Sequence, residues 1–534
     1  VEPRLCKQWF LSMQHMADIA LPPVLNGELK FYPQKYVTTY KNWLENIQDW
    51  CISRQLWWGH RIPAYFLPET AEGEERFVVA LTEEEALKKA KEIDPSITAD
   101  QLKRDEDALD TWFSSWLWPI SLFDGINNPG NEEINYYYPT SDLVTGPDII
   151  FFWVARMIMA GCEYQKQIPF RNVYFTGIVR DKLGRKMSKS LGNSPDPLEL
   201  IEKYGADGVR MGMMLAAPAG NDILYDDALC AQGMNFCNKM WNAFRLVKGW
   251  EVKDMEQPTQ NKKSIAWMQA KVKAVYAEIN EDYSRYRLNE ALMAAFKLFT
   301  DEFSGWYLEM IKPAYQAPID RATFNATLDI FDQLLHVIHP FMPFITEELW
   351  QHIADRKDGE SLMVSVFKQD KPSETEEMLL KQFEEAKQVI TGARGVRQSK
   401  NIGPREPLIL EVIAGAGDDV TKEADLSCII RKMAGLSEIR YVSQKGDGSS
   451  SFLIGTREYA IPLGDLIDTE AELAKAEAEL KHLEGFLMGI RKKLSNERFV
   501  ANAPEAVVAL ERKKEADSLE KIATLKQTIE SLKK

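Results

Sequence analysis

A short cationic loop, with a strand signal before it and a helix signal after it, most constrains how this chain can fold. Residues 184–193 read Gly-Arg-Lys-Met-Ser-Lys-Ser-Leu-Gly-Asn, which places the ammonium groups of Lys186 and Lys189 beside hydroxyls such as that of Ser188. These groups suit the oxygens of a polyphosphate, and flanking glycines give the backbone freedom. A solvated basic turn is the alternative interpretation. An apolar stretch at 172–177 precedes this cationic loop and an Asp-Pro pair follows it, so we expect a strand and a capped helix around it.

A second strand–turn–helix unit is predicted upstream. Residues 138–148 read as a short strand that ends in a Gly-Pro turn, and an apolar helix is expected from Ile149 onward. Ligands of open α/β sheets bind at the carboxyl ends of the strands. Asp148 is therefore a candidate ligand-binding residue, although it would serve equally well as a helix cap. Ile149 and Trp153 are one helical turn apart and are expected to share a face.

Length and composition limit the class of protein. A chain of 534 residues is too long for a single core, and 45% hydrophobic with 27% charged residues is typical of a soluble protein. No apolar run reaches membrane-spanning length. Six cysteines without Cys-x-x-Cys pairs indicate reduced thiols, no structural zinc and a cytoplasmic location. The net charge of −15 disfavours non-specific polyanion binding but is compatible with RNA recognition by a local basic face.

Amphipathic periodicity between residues 264 and 353 predicts several helices, including 288–312 and 334–352. His336 and His339 in the second of these have the spacing of two metal ligands, but no third ligand lies nearby, so packing in the core is favoured. Short strands after a Pro/Gly break indicate a small α/β module. They are expected at 408–413, 439–442, 452–454 and 459–461.

The last segment has coiled-coil character. Leucine recurs every seven residues from 466 to 494, a break follows at 499–504, and a second apolar helical pattern continues to Leu532. This pattern predicts an antiparallel helical hairpin. Basic residues near its tip suit a solvated face or contacts with phosphates. They are Arg491, Lys492, Lys493 and Arg498.

Several of these segments together resemble the valyl-tRNA synthetases, a family of class I aminoacyl-tRNA synthetases. The resemblance extends over essentially the whole chain, and the Trp-Trp-Gly-His-Arg-Ile-Pro form and the coiled-coil tail favour valyl over the related isoleucyl and leucyl enzymes. The matching segments are Asp-Trp-Cys-Ile-Ser-Arg-Gln-Leu-Trp-Trp-Gly-His-Arg-Ile-Pro, Leu-Asp-Thr-Trp-Phe-Ser-Ser, Thr-Gly-Pro-Asp-Ile-Ile-Phe-Phe-Trp, the cationic loop, Asn-Lys-Met-Trp-Asn, His-Pro-Phe-Met-Pro-Phe and Lys-Leu-Ser-Asn-Glu-Arg-Phe.

The resemblance implies a multidomain α/β and α fold. Its parts would be the second half of a Rossmann-like nucleotide-binding fold, a helical-bundle anticodon-binding domain, a small α/β module and an antiparallel coiled-coil hairpin. The expected segments are 1–66 (start of the second half of the catalytic domain), 67–110 (a surface insertion), 111–200 (the catalytic half with the cationic loop), 201–235 (stem contact), 236–395 (anticodon binding), 396–465 (the small module) and 466–534 (a tRNA-binding arm).

The family's reaction is attack of the valine carboxylate on the α-phosphorus of ATP, followed by transfer of the valyl group to tRNA-Val. ATP with Mg²⁺ would be a substrate, and no tightly bound cofactor, no zinc, no membrane and a monomer are expected. The resemblance also implies residue roles. Lys186, Ser188 and Lys189 would be catalytic; Gly146, Asp148 and Lys189 would bind ATP; Trp58, Ile149 and Trp153 would line the valine pocket; Arg394, Arg397, Lys492, Lys493 and Arg498 would contact tRNA.

One family signature, His-Ile-Gly-His, does not occur in these 534 residues, and His15 and His60 lie in other contexts. We therefore expect the C-terminal portion of a longer enzyme, without the first half of the ATP site and without the editing domain, and inactive alone. A catalytically dead tRNA-binding paralogue is the alternative. The reading frame upstream of Val1 would distinguish the two.

Overall fold

In a computed structural model of the chain, the described residues are 6–69, 73, 75–217, 220–413, 419–446, 448–464 and 469–495, with eight further positions between 512 and 529. The chain divides into two compact units. Residues 1–238, 278–294 and 338–346 form the first, and residues 239–277, 295–337 and 347–534 form the second. No helix among the described residues combines the length and the apolar character needed to cross a membrane.

The first 226 residues alternate short strands and helices. In chain order these are β1 (Phe10–Leu11), α1 (Gln14–Leu25), β2 (Lys30–Tyr32), α2 (Lys35–Glu45), β3 (Trp50–Cys51), β4 (Ser53–Arg54), β5 (Ala64–Phe66), β6 (Phe77–Val79), α3 (Glu83–Ile93), β7 (Lys103–Arg104), β8 (Ala108–Leu109), α4 (Thr111–Ser115), α5 (Trp118–Ser121), α6 (Glu132–Tyr137), β9 (Thr140–Thr145), α7 (Ala155–Ala160), β10 (Phe170–Phe175), β11 (Val179–Arg180), α8 (Pro197–Tyr204), α9 (Ala206–Leu215) and β12 (Ile223–Leu224).

A three-stranded parallel sheet, in the order β2-β10-β9, forms the centre of this region. Phe175 at the end of β10 pairs with Thr145 at the end of β9, so the carboxyl ends of these strands meet at one edge. Val173 and Phe175 are fully buried, as expected for a central strand with both faces covered. The strands predicted before the cationic loop and before Gly146 are thereby confirmed.

The apolar helix predicted from Ile149 is not a single α-helix, so that part of the prediction is wrong. A 3₁₀ turn (Pro147–Ile149) leads into a π-helical segment (Ile150–Val154), then α7, then a second π-helical segment (Gly161–Gln165). Three successive aromatic side chains in the first π segment stack on different rings: Phe151 on Trp43, Phe152 on Trp112 and Trp153 on Trp118. The α-helical spacing that grouped Ile149 with Trp153 therefore does not apply.

A small antiparallel sheet, in the order β6-β5-β7, lies in the region where a surface insertion is predicted. It packs with α3 around its own apolar cluster, which includes Tyr65, Val78 and Ala90. The Thr82 side chain caps this helix by accepting a hydrogen bond from the backbone N–H of Glu85.

The remainder of the chain is helical, with a mixed sheet towards the end. The elements are α10 (Asp227–Lys248), β13 (Val252–Lys253), α11 (Thr259–Ser284), α12 (Leu288–Lys297), α13 (Leu308–Ile311), β14 (Ile319–Asp320), α14 (Arg321–Ile338), α15 (Pro343–Ile353), α16 (Glu374–Ser399), β15 (Leu408–Ile413), α17 (Ala424–Ala434), β16 (Leu436–Val442), β17 (Ser449–Ile454), β18 (Arg457–Pro462) and α18 (Thr469–Leu494).

Two predicted helices are interrupted. A π-helical segment (Leu298–Tyr307) separates α12 from α13, and the helix predicted at 334–352 is two helices, α14 and α15. Proline lacks the N–H that a helix interior requires, and Pro343 instead occupies the first position of α15.

The two histidines contact different hydroxyl groups. His336 Nε2 lies 2.8 Å from Ser365 Oγ, and His339 Nδ1 lies 2.7 Å from Thr346 Oγ1.

The predicted small α/β module is confirmed as a four-stranded sheet in the order β16-β15-β18-β17, with α16 and α17 packed against it. The contact of α16 with β17 is close. A Cβ atom added to Gly392 would lie 2.3 Å from the ring of Phe452, whereas one added to Gly395 on the same helix would have no neighbour within 4 Å.

The antiparallel tail hairpin is also confirmed among the described residues. Arg491 on α18 pairs with Glu515 at 2.8 Å, and Glu484, one heptad earlier, pairs with Lys526 at 3.1 Å. Because the partner number rises as the α18 number falls, the two segments run in opposite directions. Leu487, Ile490, Ile522 and Ile529 are buried. Leu466 and the side chain of Leu473, part of the predicted heptad series, lie outside the described part of the chain.

We predict that Gly392→Ala destabilises the small module by about 1–3 kcal/mol, because the added methyl group overlaps the Phe452 ring. Gly395→Ala on the same helix is the matched control. It should stabilise by about 0.5–1 kcal/mol, since alanine favours an open helical position over glycine. Equilibrium urea unfolding of both variants measures the difference. Equal effects of the two substitutions would contradict the packing described here.

Candidate functional site

The turn after β9 brings a carboxylate over the end of the central sheet. A Cβ atom on Gly146 would lie 2.6 Å from Asp148 Oδ1, so only glycine leaves room for the carboxylate in this position. Asp148 lies inside the 3₁₀ turn, whose capping position is Gly146. The interpretation of Asp148 as a side-chain helix cap is therefore wrong. Its carboxylate is exposed and has no hydrogen-bond partner among the described residues, which leaves it available to a ligand.

The strand that leads into the cationic loop, β11, is fixed by its neighbours. β11 pairs in parallel with β12, and the Tyr225 N–H donates to the Arg180 carbonyl at 2.9 Å. At the end of β10, a Cβ atom on Gly177 would lie 2.1 Å from the Asn221 carbonyl oxygen, so two backbones approach closely here. The chain therefore enters the cationic loop from a rigid support.

Asp181, directly after β11, fastens the start of the cationic loop. Its Oδ1 accepts from the backbone N–H groups of Leu183 (3.0 Å) and Arg185 (2.8 Å), and its Oδ2 accepts from Arg185 Nε (2.7 Å) and Asn193 Nδ2 (3.0 Å). The hydrogen bonds from Asn193 and Arg185 hold the pKa of this carboxyl well below its usual range, against the opposing effect of burial. Asp181 therefore stays ionised at a lower pH than an ordinary aspartate would.

Asn193 fastens the other end. Its Oδ1 accepts from the backbone N–H of Ser188 at 2.9 Å, and its Nδ2 donates to the Lys186 carbonyl at 3.3 Å in addition to Asp181. The loop is thus closed by one carboxylate–carboxamide pair. This pair was not predicted from the sequence, in which the available signal is an Asp and an Asn that bracket the lysines at both ends.

The predicted catalytic residues lie on this fastened backbone. The Lys186 side chain is exposed and forms no hydrogen bond or ion pair within the described residues. Ser188 Oγ lies 3.1 Å from Ser190 Oγ and accepts from the Leu191 N–H. Lys189 opens a 3₁₀ turn (Lys189–Leu191), and its side chain lies outside the described part of the structure. After the loop, Asp196 caps α8 by accepting from the Leu198 N–H, as predicted.

In the described part of the chain, no hydrogen bond or ring contact joins the three residues predicted to line the valine pocket. Trp58 is 93% exposed, and Ile149 is half-buried at the end of the 3₁₀ turn. Trp153 is held in place, because its Nε1 donates to the Ser115 carbonyl at 3.3 Å and its ring stacks on that of Trp118. Their grouping into one pocket remains a prediction.

A charge cluster around Asp110 was not predicted. Asp110 is buried, caps α4 and pairs with Arg54 of β4, which joins the two elements. The Arg156 guanidinium lies 3.5 Å from the Trp50 ring centroid. Burial lowers the pKa of Arg156 to about 10, while the nearby Asp110 carboxylate acts in the opposite direction.

The predicted tRNA-contacting residues have different environments. Arg397 donates to the carbonyls of Gly403, Glu406, Ala434 and Gly435, so four hydrogen bonds engage its guanidinium within the chain. Arg394 donates to the Met433 carbonyl. Lys492 is exposed on α18. The Lys493 side chain and all of Arg498 lie outside the described residues.

Comparison with protein families gives three consecutive matches. Residues 2–226 match tRNA synthetases class I (I, L, M and V), residues 266–414 match the anticodon-binding domain of tRNA ligases, and residues 468–533 match the valyl tRNA synthetase tRNA binding arm. These matches follow the order of the α/β region, the helical region and the hairpin described above.

Individual relatives are valine–tRNA ligases. That of Phocaeicola vulgatus is 65% identical over 536 residues, covering 100% of this chain and 60% of that protein. That of Fusobacterium nucleatum is 38% identical, covering 99% of this chain and 60% of that protein. A solved Mycobacterium tuberculosis methionyl-tRNA synthetase is 19% identical with a TM-score of 0.47, and the alignment covers 64% of this chain and 62% of that one. This chain spans 60% of the length of the curated relatives named here.

Proposed function

Because the chain belongs to the class I tRNA synthetases, we propose that it is part of a valine–tRNA ligase, which activates valine with ATP and transfers the valyl group to tRNA. The observation that carries this proposal is 65% identity to such a ligase over the whole chain, including all segments that bear the motifs. The direct test is valine-dependent exchange of pyrophosphate into ATP by the complete protein, with isoleucine and threonine as competing amino acids.

In this proposal the carboxyl edge of the central sheet binds ATP. The Asp148 carboxylate, exposed and without a partner among the described residues, accepts hydrogen bonds from the ribose hydroxyls. Gly146 allows the close approach, since it has no side chain between the carboxylate and the end of β9. ATP enters as its Mg²⁺ complex, and the metal ion comes with the substrate.

The cationic loop acts on the phosphates. Attack of the valine carboxylate on the α-phosphorus transfers negative charge to the departing pyrophosphate, and ammonium groups placed at those oxygens stabilise it. Lys189 and Lys186 perform this role, and Ser188 contributes a hydroxyl. Since nucleotidyl transfer needs little covalent participation by the protein, positioning of these groups accounts for most of their effect.

Valine and tRNA are bound elsewhere on the chain. Trp58, Ile149 and Trp153 provide apolar surface for the valine side chain, and the stacking of Trp153 on Trp118 fixes one wall. The helical region contacts the anticodon, and the hairpin braces the body of the tRNA through Lys492, Lys493 and Arg498. We expect the complete ligase to be a cytoplasmic monomer.

A tRNA-binding protein without catalytic activity is the second candidate. The 534 residues lack His-Ile-Gly-His, and the arm and anticodon-binding matches alone would serve tRNA binding. If the complete natural protein binds tRNA but neither forms valyl-adenylate nor exchanges pyrophosphate, this second candidate is correct and the ligase proposal is wrong.

We predict that the 534-residue chain alone gives no valine-dependent pyrophosphate exchange, because half of the signature groups that bind ATP in this family are absent from it. The measurement compares the chain with a complete valine–tRNA ligase at equal concentration. Exchange above the blank without added protein would show that the chain holds a sufficient ATP site.

In the complete ligase, Lys189→Ala should slow valyl-adenylate formation by an amount that corresponds to about 2.7–4 kcal/mol, as for other electrostatic donors. Valine affinity should remain nearly unchanged, because the lysine meets charge that develops only in the transition state. Single-turnover quench-flow gives the rate constant, and equilibrium binding gives the affinity. Lys182→Ala is the control, since Lys182 is exposed near the loop and pairs with Asp226 at 3.0 Å. An equal loss of valine affinity would contradict this role.

Alanine at Lys492, Lys493 and Arg498 should weaken the binding of cognate and non-cognate tRNA by similar factors. Phosphate contacts position an RNA without reading its sequence, and their strength depends on counterion release. A salt series of dissociation constants for both tRNAs is the measurement, with Lys481→Ala, farther along the exposed face of α18, as the control. A loss confined to the cognate tRNA, or an unchanged salt dependence, would exclude backbone contact by the arm.

A further inference from the structure

The backbone of the cationic loop is held at four points by two side chains that themselves carry no catalytic ammonium group. Asp181 holds residues 183 and 185, and Asn193 holds residues 186 and 188. The two side chains are joined by the 3.0 Å hydrogen bond from Asn193 Nδ2 to Asp181 Oδ2. We call Asp181 and Asn193 the loop clamp.

The clamp transmits the position of the sheet to the loop. Asp181 follows β11 without an intervening residue, and β11 is fixed by its parallel pairing with β12. Asp181 is 9% exposed, so its carboxylate is largely shielded from water. A hydrogen bond to a charged and shielded acceptor is stronger than one between neutral, solvated groups. Asp181 and Asn193 therefore hold the residues on either side of the lysines in fixed positions relative to the strands.

The geometry also requires a particular backbone at the ends of the loop. Gly184 and Gly192 have φ values of +75° and +61°, a region that L side chains rarely adopt. The tight turn at Gly184 lets the Arg185 N–H reach Asp181 Oδ1, and the turn at Gly192 places Asn193 next to that carboxylate. Meanwhile, the Lys186 side chain is exposed and without a partner among the described residues. The backbone is fixed while the ammonium group is left for a ligand.

We propose that Asp181 and Asn193 are positioning residues for adenylate formation, which hold the loop backbone so that Lys186 and Lys189 meet the phosphates of ATP without prior reorganisation. This inference rests on the proposed function. It assigns no contact with substrate to the clamp itself. Its consequence is that the polarity of the pair, an acceptor at 181 that faces a donor at 193, matters to the rate of the chemical step.

The test exploits this polarity in the complete ligase. Asp181→Asn keeps the shape of the side chain but places an amide donor where the donors of Asn193 and Arg185 need an acceptor. Asn193→Asp keeps the acceptor for the Ser188 N–H but sets two carboxylates face to face. The double exchange, Asp181→Asn with Asn193→Asp, restores a donor–acceptor pair with the direction reversed. Asp222→Asn is the matched control, since Asp222 is exposed and pairs with Arg180 beside the loop without touching it.

Two quantities are measured for each variant. The first is the single-turnover rate constant for valyl-adenylate formation together with the dissociation constants of valine and ATP. The second is the rate of tryptic cleavage after Arg185, Lys186 and Lys189, followed by mass spectrometry of the peptides. Each single substitution should lower the rate constant about 10–100-fold, the range expected for loss of a hydrogen bond to a charged group. It should leave valine affinity unchanged and accelerate cleavage.

The double exchange should recover most of both losses, which a general loss of folding would not do. The inference is overturned if either single variant behaves like Asp222→Asn, if the rate constant falls without faster cleavage, or if the double exchange is as defective as the singles combined. Failure of the proposed function is distinguishable. In that case the unmodified ligase forms no valyl-adenylate, and the cleavage rates of the four variants still decide whether the clamp orders the loop.

Discussion

The parallel pairing of β10 with β9 and β2 is the constraint on which the rest of the α/β region depends. It places the carboxyl ends of these strands at one edge, and both the Gly146–Asp148 turn and the path to the cationic loop start from there. Val173, Tyr174 and Phe175 of β10 are buried, so a shift in the register of this strand would move apolar side chains into solvent. The Gly146–Asp148 turn takes its position from this buried register, whereas the cationic loop is held through β11 and its pairing with β12.

Much of this arrangement could be predicted from local signals. The cap of α8 and the strands β9 and β10 follow from signals that lie within a few residues: an Asp-Pro pair, the Gly-Pro turn after β9 and the apolar residues of β10. The heptad leucines predicted the hairpin for the same reason. Even the four strands of the small module were located, since each is bounded by glycine, proline or charged residues.

The rest depends on contacts between residues that are distant in sequence. The π-helical segment at Ile150–Val154 accommodates stacking partners more than 30 positions away, so helical periodicity could not predict it. Asp181 and Asn193 each look like ordinary loop residues until the loop closes. The family resemblance implies that Arg397 contacts tRNA, yet its guanidinium donates to four carbonyls that only the tertiary fold brings together. The sequence identifies such groups but not their partners.

The ion pairs of the hairpin have a geometric consequence for its length. α18 contains 26 residues and at 1.5 Å per residue extends about 39 Å. The Arg491–Glu515 and Glu484–Lys526 pairs lie seven residues apart on α18 and eleven apart on the facing segment. These spacings are close to two and three whole turns of an α-helix, so both pairs lie along one side of each helix. Removing two turns from each segment would therefore shorten the hairpin by about 11 Å and leave the same faces of its two helices in contact.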